Sequence, residues 1–169
     1  MGMEQHKAES RELEPLRCTV ITVSDSRNLA TDKSGQEMER HLRADGHEIL
    51  ERTVVQDDPT EIALVLRHWM GQDDVDVILL NGGTGVARRD GTVEVVRQFI
   101  ERELSGFGEL FRFLSYDQVG SAAMLSRALA GTARGKVIFS LPGSTKAVTL
   151  GMEKLIVPEV RHLVYELRK

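Results

Sequence analysis

Residues 75–91, VDVILLNGGTGVARRDG, constrain the fold more than any other stretch of this chain. Val75, Val77, Ile78, Leu79 and Leu80 form a nearly continuous apolar run, the pattern of a strand covered on both faces in a parallel sheet. Asn81-Gly82-Gly83-Thr84-Gly85 ends that run. Glycine has no Cβ, so such a segment turns tightly and brings backbone N–H groups close to a ligand, and Arg88, Arg89 and Asp90 add charge at the next turn. Val93, Val96, Ile100 and Leu104 then recur at helical spacing, predicting a helix over 92–104 whose N-terminal dipole faces the loop. This layout suits an anion. It is neither the dinucleotide GxGxxG nor a P-loop, which ends in Lys-Ser/Thr, so it points to a different phosphate or nucleotide site; a plain strand-to-helix turn is the bland alternative.

The 169 residues suffice for one domain with a substantial core, and no compositional break divides them. A hydrophobic content of 41% and a charged content of 28% are ordinary for a globular protein, and the net charge of −4 lacks the basic excess of a general nucleic-acid binder. Cys18 is the single cysteine, so no intrachain disulfide forms, and its neighbours Thr19, Val20 and Ile21 make it a buried strand residue rather than a reactive thiol. No run of about 18 apolar residues is present to cross a membrane, and no apolar signal core stands at the N-terminus. A soluble, cytoplasmic protein with no membrane or nucleic-acid partner is expected. Residues 1–16 are polar and are expected to form a flexible tail outside a single domain spanning 17–169.

Along the chain, residues 18–23 read as a first strand that empties into Ser24-Asp25-Ser26-Arg27. Ser34 and Glu37 have the S-x-x-E form of a capping box, opening a helix that turns Met38 and Leu42 inward. Ile49, Val54 and Val55 belong to a second strand, and the interrupting Glu51 and Arg52 place it near a sheet edge. In Gln56-Asp57-Asp58-Pro59-Thr60-Glu61, Asp58 has the structural role of N-cap with Pro59 at the first helical position, whereas Asp57 has no such role. Residues 107–114 are apolar but unassigned. Residues after 115 are read as a helix turning Ala122, Leu125, Ala128 and Leu129 inward, with Arg127 as a solvated charge. Residues 135–141 form a further strand closed by Pro142-Gly143-Ser144-Thr145-Lys146, which repeats the central logic of strand, turn, hydroxyls and helix N-terminus. Pro158 introduces a last helix.

Alternating strands and helices define a three-layer α/β/α sandwich around a mostly parallel sheet. In such a sheet the turns at 24–27, 56–58, 81–90 and 142–146 line one edge and form one cleft.

The ordered set Thr22-Val23-Ser24-Asp25, Asp32-Lys33-Ser34-Gly35, Asp57-Asp58, Gly82-Gly83-Thr84-Gly85 with Arg89-Asp90 and Thr92, Met124-Leu125-Ser126-Arg127 and Leu141-Pro142-Gly143-Ser144 resembles the MoaB/Mog family of molybdenum cofactor biosynthesis. The resemblance covers nearly the whole chain from residue 17. It is closer to the MoaB branch through Phe111-Arg112-Phe113-Leu114-Ser115, Ala122-Ala123-Met124 and Thr145-Lys146-Ala147. It implies a molybdopterin-binding fold and a homo-oligomer, either a trimer or a dimer of trimers. It also implies adenylyl transfer: the terminal phosphate of molybdopterin attacks the α-phosphate of ATP and releases pyrophosphate with Mg²⁺ assistance.

On that resemblance Asp57 and Asp90 match the family's two acidic positions and would serve as catalytic residues and Mg²⁺ ligands. Gly82, Gly83, Thr84 and Gly85 would contact the ligand. Leu141, Pro142, Gly143 and Ser144 with Ser115 would form the pterin side, while Ser24 and Asp25 are assigned to the same cleft and Lys146 to a phosphate. The sequence departs from the family at Gly91, where the usual pattern after the Arg-Asp pair has Val, and at Gln56, where Pro is often found. Two other readings stand beside the enzyme: a protein that binds molybdopterin or its precursor without catalysis, and a structural partner of other molybdenum cofactor biosynthesis proteins. The histidines are scattered along the sequence without zinc-ligand spacing.

Overall fold

The computed structural model describes residues 2–11 and 13–169. Strands β1 (Arg17–Val23), β2 (Glu48–Val55), β3 (Val77–Asn81), β4 (Arg102–Glu103), β5 (Leu129–Ala133) and β6 (Lys136–Leu141) make one six-stranded sheet in the order β2-β1-β3-β6-β5-β4. The first four in that order run parallel, with Val20 beside Leu79 and Leu79 beside Phe139 in register. The remaining pairings are antiparallel. As expected from its mixed pattern, β2 is an edge strand.

Helices α1 (Met3–Ser10), α2 (Lys33–Ala44), α3 (Pro59–Met70), α4 (Thr92–Phe99), α5 (Ser105–Val119), α6 (Thr145–Gly151) and α7 (Val157–Leu167) account for the helical layers. Alternate residues of β3 explain the two cores. Val77 and Leu79 pack with Met38 and Leu42 of α2, Phe107 and Phe111 of α5, and Val148 and Val160 beyond β6. Ile78 and Leu80 pack on the other face with Ile62, Leu66 and Trp69 of α3 and Val93 and Val96 of α4. Every residue of β3 is buried, which is why its sequence is a run rather than an alternation. No helix among the described residues is long and apolar enough to cross a membrane.

Several boundaries differ from the sequence reading, each for a physical reason. The cap of α2 is Asp32, whose side chain accepts from Gly35 N–H; Ser34 lies inside the first turn and uses its hydroxyl elsewhere. The helix expected over 92–104 stops at Phe99. Glu101 and Leu104 instead donate backbone N–H groups to Thr132 and Ala130 of β5. The apparent helical spacing of Ile100 and Leu104 is accidental, because Ile100 packs in the α3–α4 core and Leu104 in the opposite one. The unassigned 107–114 segment belongs to α5, and the residues read as a helix after 115 divide among α5, a 3₁₀ turn (Gly120–Leu125) and β5. Pro158 stands in the first turn of the last helix, as read, but α7 follows α6 without a break through a π turn (Met152–Ile156), the wide turn giving room for a ring that offers no N–H. Within residues 1–16, α1 lies against α7, tied by the Lys7–Glu159 ion pair and by His6 Nδ1 at 3.0 Å from Glu166.

A buried polar chain ties the edge strand to the centre. Asn81 donates to Thr22 Oγ1 at 2.8 Å, Thr22 donates to Asp32 Oδ2 at 2.9 Å, and Arg52 of β2 donates to the same oxygen at 3.0 Å. The Asp32 side chain is fully buried and is satisfied by Thr22, Arg52 and the Gly35 N–H that it caps. Asp32→Ala is expected to lower the unfolding free energy in urea titrations by about 3–5 kcal/mol, the range for removing one member of a buried pair, with Asp32→Asn costing less.

Candidate functional site

The parallel register of β1, β2, β3 and β6 brings their carboxyl ends to one edge of the sheet, and the polar turns meet there. Gly82 follows β3 and donates its N–H to Leu141 O at 3.0 Å. Its φ is +97°, and a Cβ there would lie 2.2 Å from Val23 O, so only glycine fits. A Cβ on Gly143 would lie 3.2 Å from Gly82 Cα, which measures how closely the turn after β6 approaches the turn after β3.

Asp57 extends from the end of β2 beneath the glycine loop. A Cβ added to Gly83 would come within 3.2 Å of Asp57 Oδ2 and 2.2 Å of Thr92 Oγ1. Asp57 Oδ1 and Thr92 Oγ1 are both buried with no hydrogen-bond partner among the described residues. Burial pushes the Asp57 carboxyl pKa above its ordinary value; Gly91 N–H draws it back, the negative charges of Asp90 and Asp25 raise it further, and Arg89 opposes them. Asp25 accepts from the Asp57 N–H at 3.1 Å and pairs with Arg89 at 2.9 Å.

Asp90 does not cap α4, since Gly91 holds that position without a side-chain bond. Its Oδ2 accepts from Ala87 N–H at 2.8 Å and closes the 87–90 turn. The Ser24 hydroxyl is likewise used locally, accepting from the N–H groups of Ser26 and Arg27. Ser144 caps α6 by accepting from Ala147 N–H at 3.2 Å, and Lys146 is exposed in the same first turn with no salt bridge among the described residues. Leu141 is a buried residue of β6, Pro142 and Gly143 form the turn after it, and Thr84 is buried within the glycine loop. Ser115 is buried on α5, and no side-chain hydrogen bond joins it to these loops among the described residues.

Two arginines hold the edge together, and neither belongs to the expected set. Arg127, read from sequence as a solvated helix charge, donates to Gly85 O at 3.0 Å and Asp90 O at 2.9 Å and pairs with Glu94. Its own N–H donates to Thr84 O, so one residue grips both ends of the 84–90 loop. The Arg127 partner also lowers the Glu94 pKa. Arg27 donates to Gly143 O at 2.9 Å, which also accepts from the Ser34 hydroxyl at 2.6 Å. The only sequence sign of Arg127 is its place in the quoted motif Met124-Leu125-Ser126-Arg127, and of Arg27 its place in the polar turn 24–27.

Two hollows of ligand size open along this edge. One, about 680 Å³, is lined by Asp25, Arg27 and Gln56 among others; the second, about 580 Å³, lies between the 86–91 loop and α4 and is lined by Asp90, Glu94 and Arg127.

Comparison with known proteins gives the same picture. Residues 19–162 match the family described as "Probable molybdopterin binding domain". Molybdenum cofactor biosynthesis protein B of Halalkalibacterium halodurans is 47% identical, with 100% of this chain and 99% of that protein aligned. A crystal structure of a molybdenum cofactor biosynthesis protein B superposes with a TM-score of 0.89 at 47% identity, covering 92% of this chain and 97% of that one. The tungsten cofactor synthesizing protein MoaB of Pyrococcus furiosus gives 0.84 at 39% identity over 93% and 99% of the two chains. The chain therefore belongs to the MoaB/Mog family of molybdenum cofactor biosynthesis proteins, in its MoaB branch.

The raised Asp57 pKa has a stability consequence with a definite sign. Its ionised form is the disfavoured one in the folded state, so the group costs stability as pH rises from the ordinary carboxylate range through its folded value. Asp57→Asn is expected to melt above the parent at pH 7, and the gap is expected to close as the pH is lowered through that window in a thermal-denaturation series.

Proposed function

We propose that this protein acts in molybdenum cofactor biosynthesis by adenylylating molybdopterin with ATP. The observation that carries the reading is that Asp57, whose Oδ2 lies beneath Gly83, and Thr92 each hold a buried side-chain oxygen, Oδ1 and Oγ1, without a partner among the described residues at a glycine-rich strand end. An unpaired carboxylate oxygen whose neighbours include Asp25 and Asp90 suits a hard cation, so the residues fit Mg²⁺, with Asp57 and Asp90 as its holders. Bound there, Mg²⁺ would offset negative charge on the nucleotide phosphates.

The rest of the reaction falls to the chain. The terminal phosphate oxygen of molybdopterin attacks the α-phosphorus of ATP, a new P–O bond forms, and the bond to pyrophosphate breaks. Backbone N–H groups of residues 83–85 and the α6 N-terminus, with Lys146 beside it, hold the phosphates in line, while Gly82, its own N–H bound to Leu141 O, shapes the turn that brings them there. The turn 141–144, with Ser115, takes the pterin side, and Ser24 and Asp25 border the cleft. Two hollows of ligand size on the same edge support a reaction between two substrates.

One observation favours a second reading, a molybdopterin-binding protein without catalysis: the Asp90 carboxylate already has a structural task in closing the 87–90 turn. Incubation with molybdopterin, Mg²⁺ and ATP separates the two. Adenylylated molybdopterin from the parent, reduced by two or more orders of magnitude in Asp57→Ala and Asp90→Ala, is the expected result, the scale for removing preorganised transition-state electrostatics. Pterin binding by the parent without product would replace the transferase with the binding protein.

We also infer a homo-oligomer, a trimer or a dimer of trimers. Leu110, Phe113, Tyr116 and Val119 form an exposed apolar stripe on α5, continued by Met124 and Leu125, and Phe113 is 74% and Met124 78% exposed. Apolar groups clustered in this way mark protein contacts. Light scattering of the purified protein is expected to give a multiple of three chains, and Phe113→Asp to shift it to monomers.

A further inference from the structure

At the opposite edge of the sheet from the glycine loop, we propose a transition-metal site formed by His6, His162 and Glu166 that clamps α1 to α7. His162 and Glu166 stand four residues apart on α7 and so share a face, while His6 comes from α1, more than 150 residues away in sequence. One ligand atom from each lies within 4.8 Å of the other two. Glu166 Oε1 is 3.0 Å from His6 Nδ1 and 3.6 Å from His162 Nε2. A tetrahedral zinc ion with bonds of about 2.0–2.1 Å separates its ligands by roughly 3.3 Å, so the donors need move little to take one.

The surroundings favour a metal over a chance contact. The second nitrogen of His162, Nδ1, faces Glu159 Oε2 at 3.2 Å, and a carboxylate there keeps the proton on Nδ1 and the lone pair of Nε2 directed at the cluster. The His6 ring packs edge-on against Tyr165, with centroids 6.2 Å apart. The two imidazoles are roughly three-quarters buried, at 24% and 22% exposure, while Glu166 is open at 43%, which leaves an approach from solvent and room for a water in the fourth position.

The position now carries a protein cation. Lys169 Nζ lies 2.7 Å from Glu166 Oε1 and 3.0 Å from His6 Nδ1. The Lys169 side chain follows α7 and is 41% exposed, so it swings into water at little cost and acts as a displaceable competitor. Two imidazoles and one carboxylate select zinc, cobalt or nickel rather than magnesium, which separates this site chemically from the Asp57–Asp90 region. It is separate in space too, since the neighbouring Arg168 reaches Asp76, just before the start of β3. α1 has mostly polar ties to the body of the fold, and a metal bridge would add the fixing that its sequence does not supply.

The test uses the full chain without a histidine tag, stripped with EDTA and titrated with ZnCl₂ by calorimetry, and with CoCl₂ in the visible. One Zn²⁺ per chain, a melting temperature that rises with free Zn²⁺, and the intense visible absorption of tetrahedral Co²⁺ are expected. His6→Ala, His162→Ala and Glu166→Ala should each weaken binding at least tenfold, and Glu159→Gln about tenfold through the His162 ring. Lys169→Ala should tighten it, and His68→Ala should leave it unchanged. These changes lie outside both cores, so folding of the domain does not confound them. Zn²⁺ affinity that persists in the His6→Ala and His162→Ala variants, or an octahedral Co²⁺ spectrum in the parent, overturns the site.

Discussion

The passage of Gly82 across the end of β1 is the constraint on which the candidate site rests. Its α-carbon has Val23 O on one side and the turn at Gly143 on the other, while its N–H is committed to Leu141 O. Three strand ends are therefore packed to backbone contact at one point. Any side chain at 82 would separate them, and with them the loops that carry Asp25, Asp57, Asp90 and Ser144. The polar chain from Asn81 through Thr22 to Asp32 and Arg52 continues this constraint outward to the edge strand, where Asp57 begins.

Around that point the fold concentrates negative charge in a place meant, on the proposed function, for negative substrates. Burial first, and the nearby charges of Asp90 and Asp25 after it, raise the pKa of Asp57, which expresses the cost of placing a carboxylate here. Such an arrangement is unfavourable for folding alone, and it persists because the sheet and the loop anchors over-determine it. Arg89 relieves part of the repulsion by pairing with Asp25, while Arg127 fixes the loop by binding its carbonyls. The site is thus strained electrostatically while its backbone is held by ordinary hydrogen bonds.

The central strand, the glycine loop, the Asp58 cap and the three-layer architecture were legible in the sequence because each rests on local chemistry: an apolar run, a missing Cβ, a side chain bonding two or three residues on. Features that depend on distant partners were not. α5 escaped a helical reading because Phe107 and Phe111 point into the core while Leu110 and Phe113 face out, so its hydrophobic residues occupy no single face. β5, with the sequence LAGTA, carries almost none of the branched or aromatic residues that signal a strand, and pairing with β6 and β4 alone makes it one. Arg127 read as a surface charge because its acceptors, the carbonyls of Gly85 and Asp90, lie about 40 residues earlier in the chain. α1 shows no apolar face because polar side chains bind it to α7.

The uninterrupted helical run from Thr145 to Leu167 also carries a mechanical consequence. At 1.5 Å per residue it is a rod about 35 Å long, beginning at the Ser144 cap in the cleft and ending beside α1 at the far edge of the sheet. The π turn Met152–Ile156, just before Pro158, is its one widened coil. An occupant of the cleft that bears on the first turn therefore bears on one continuous helical backbone that reaches the opposite edge of the sheet.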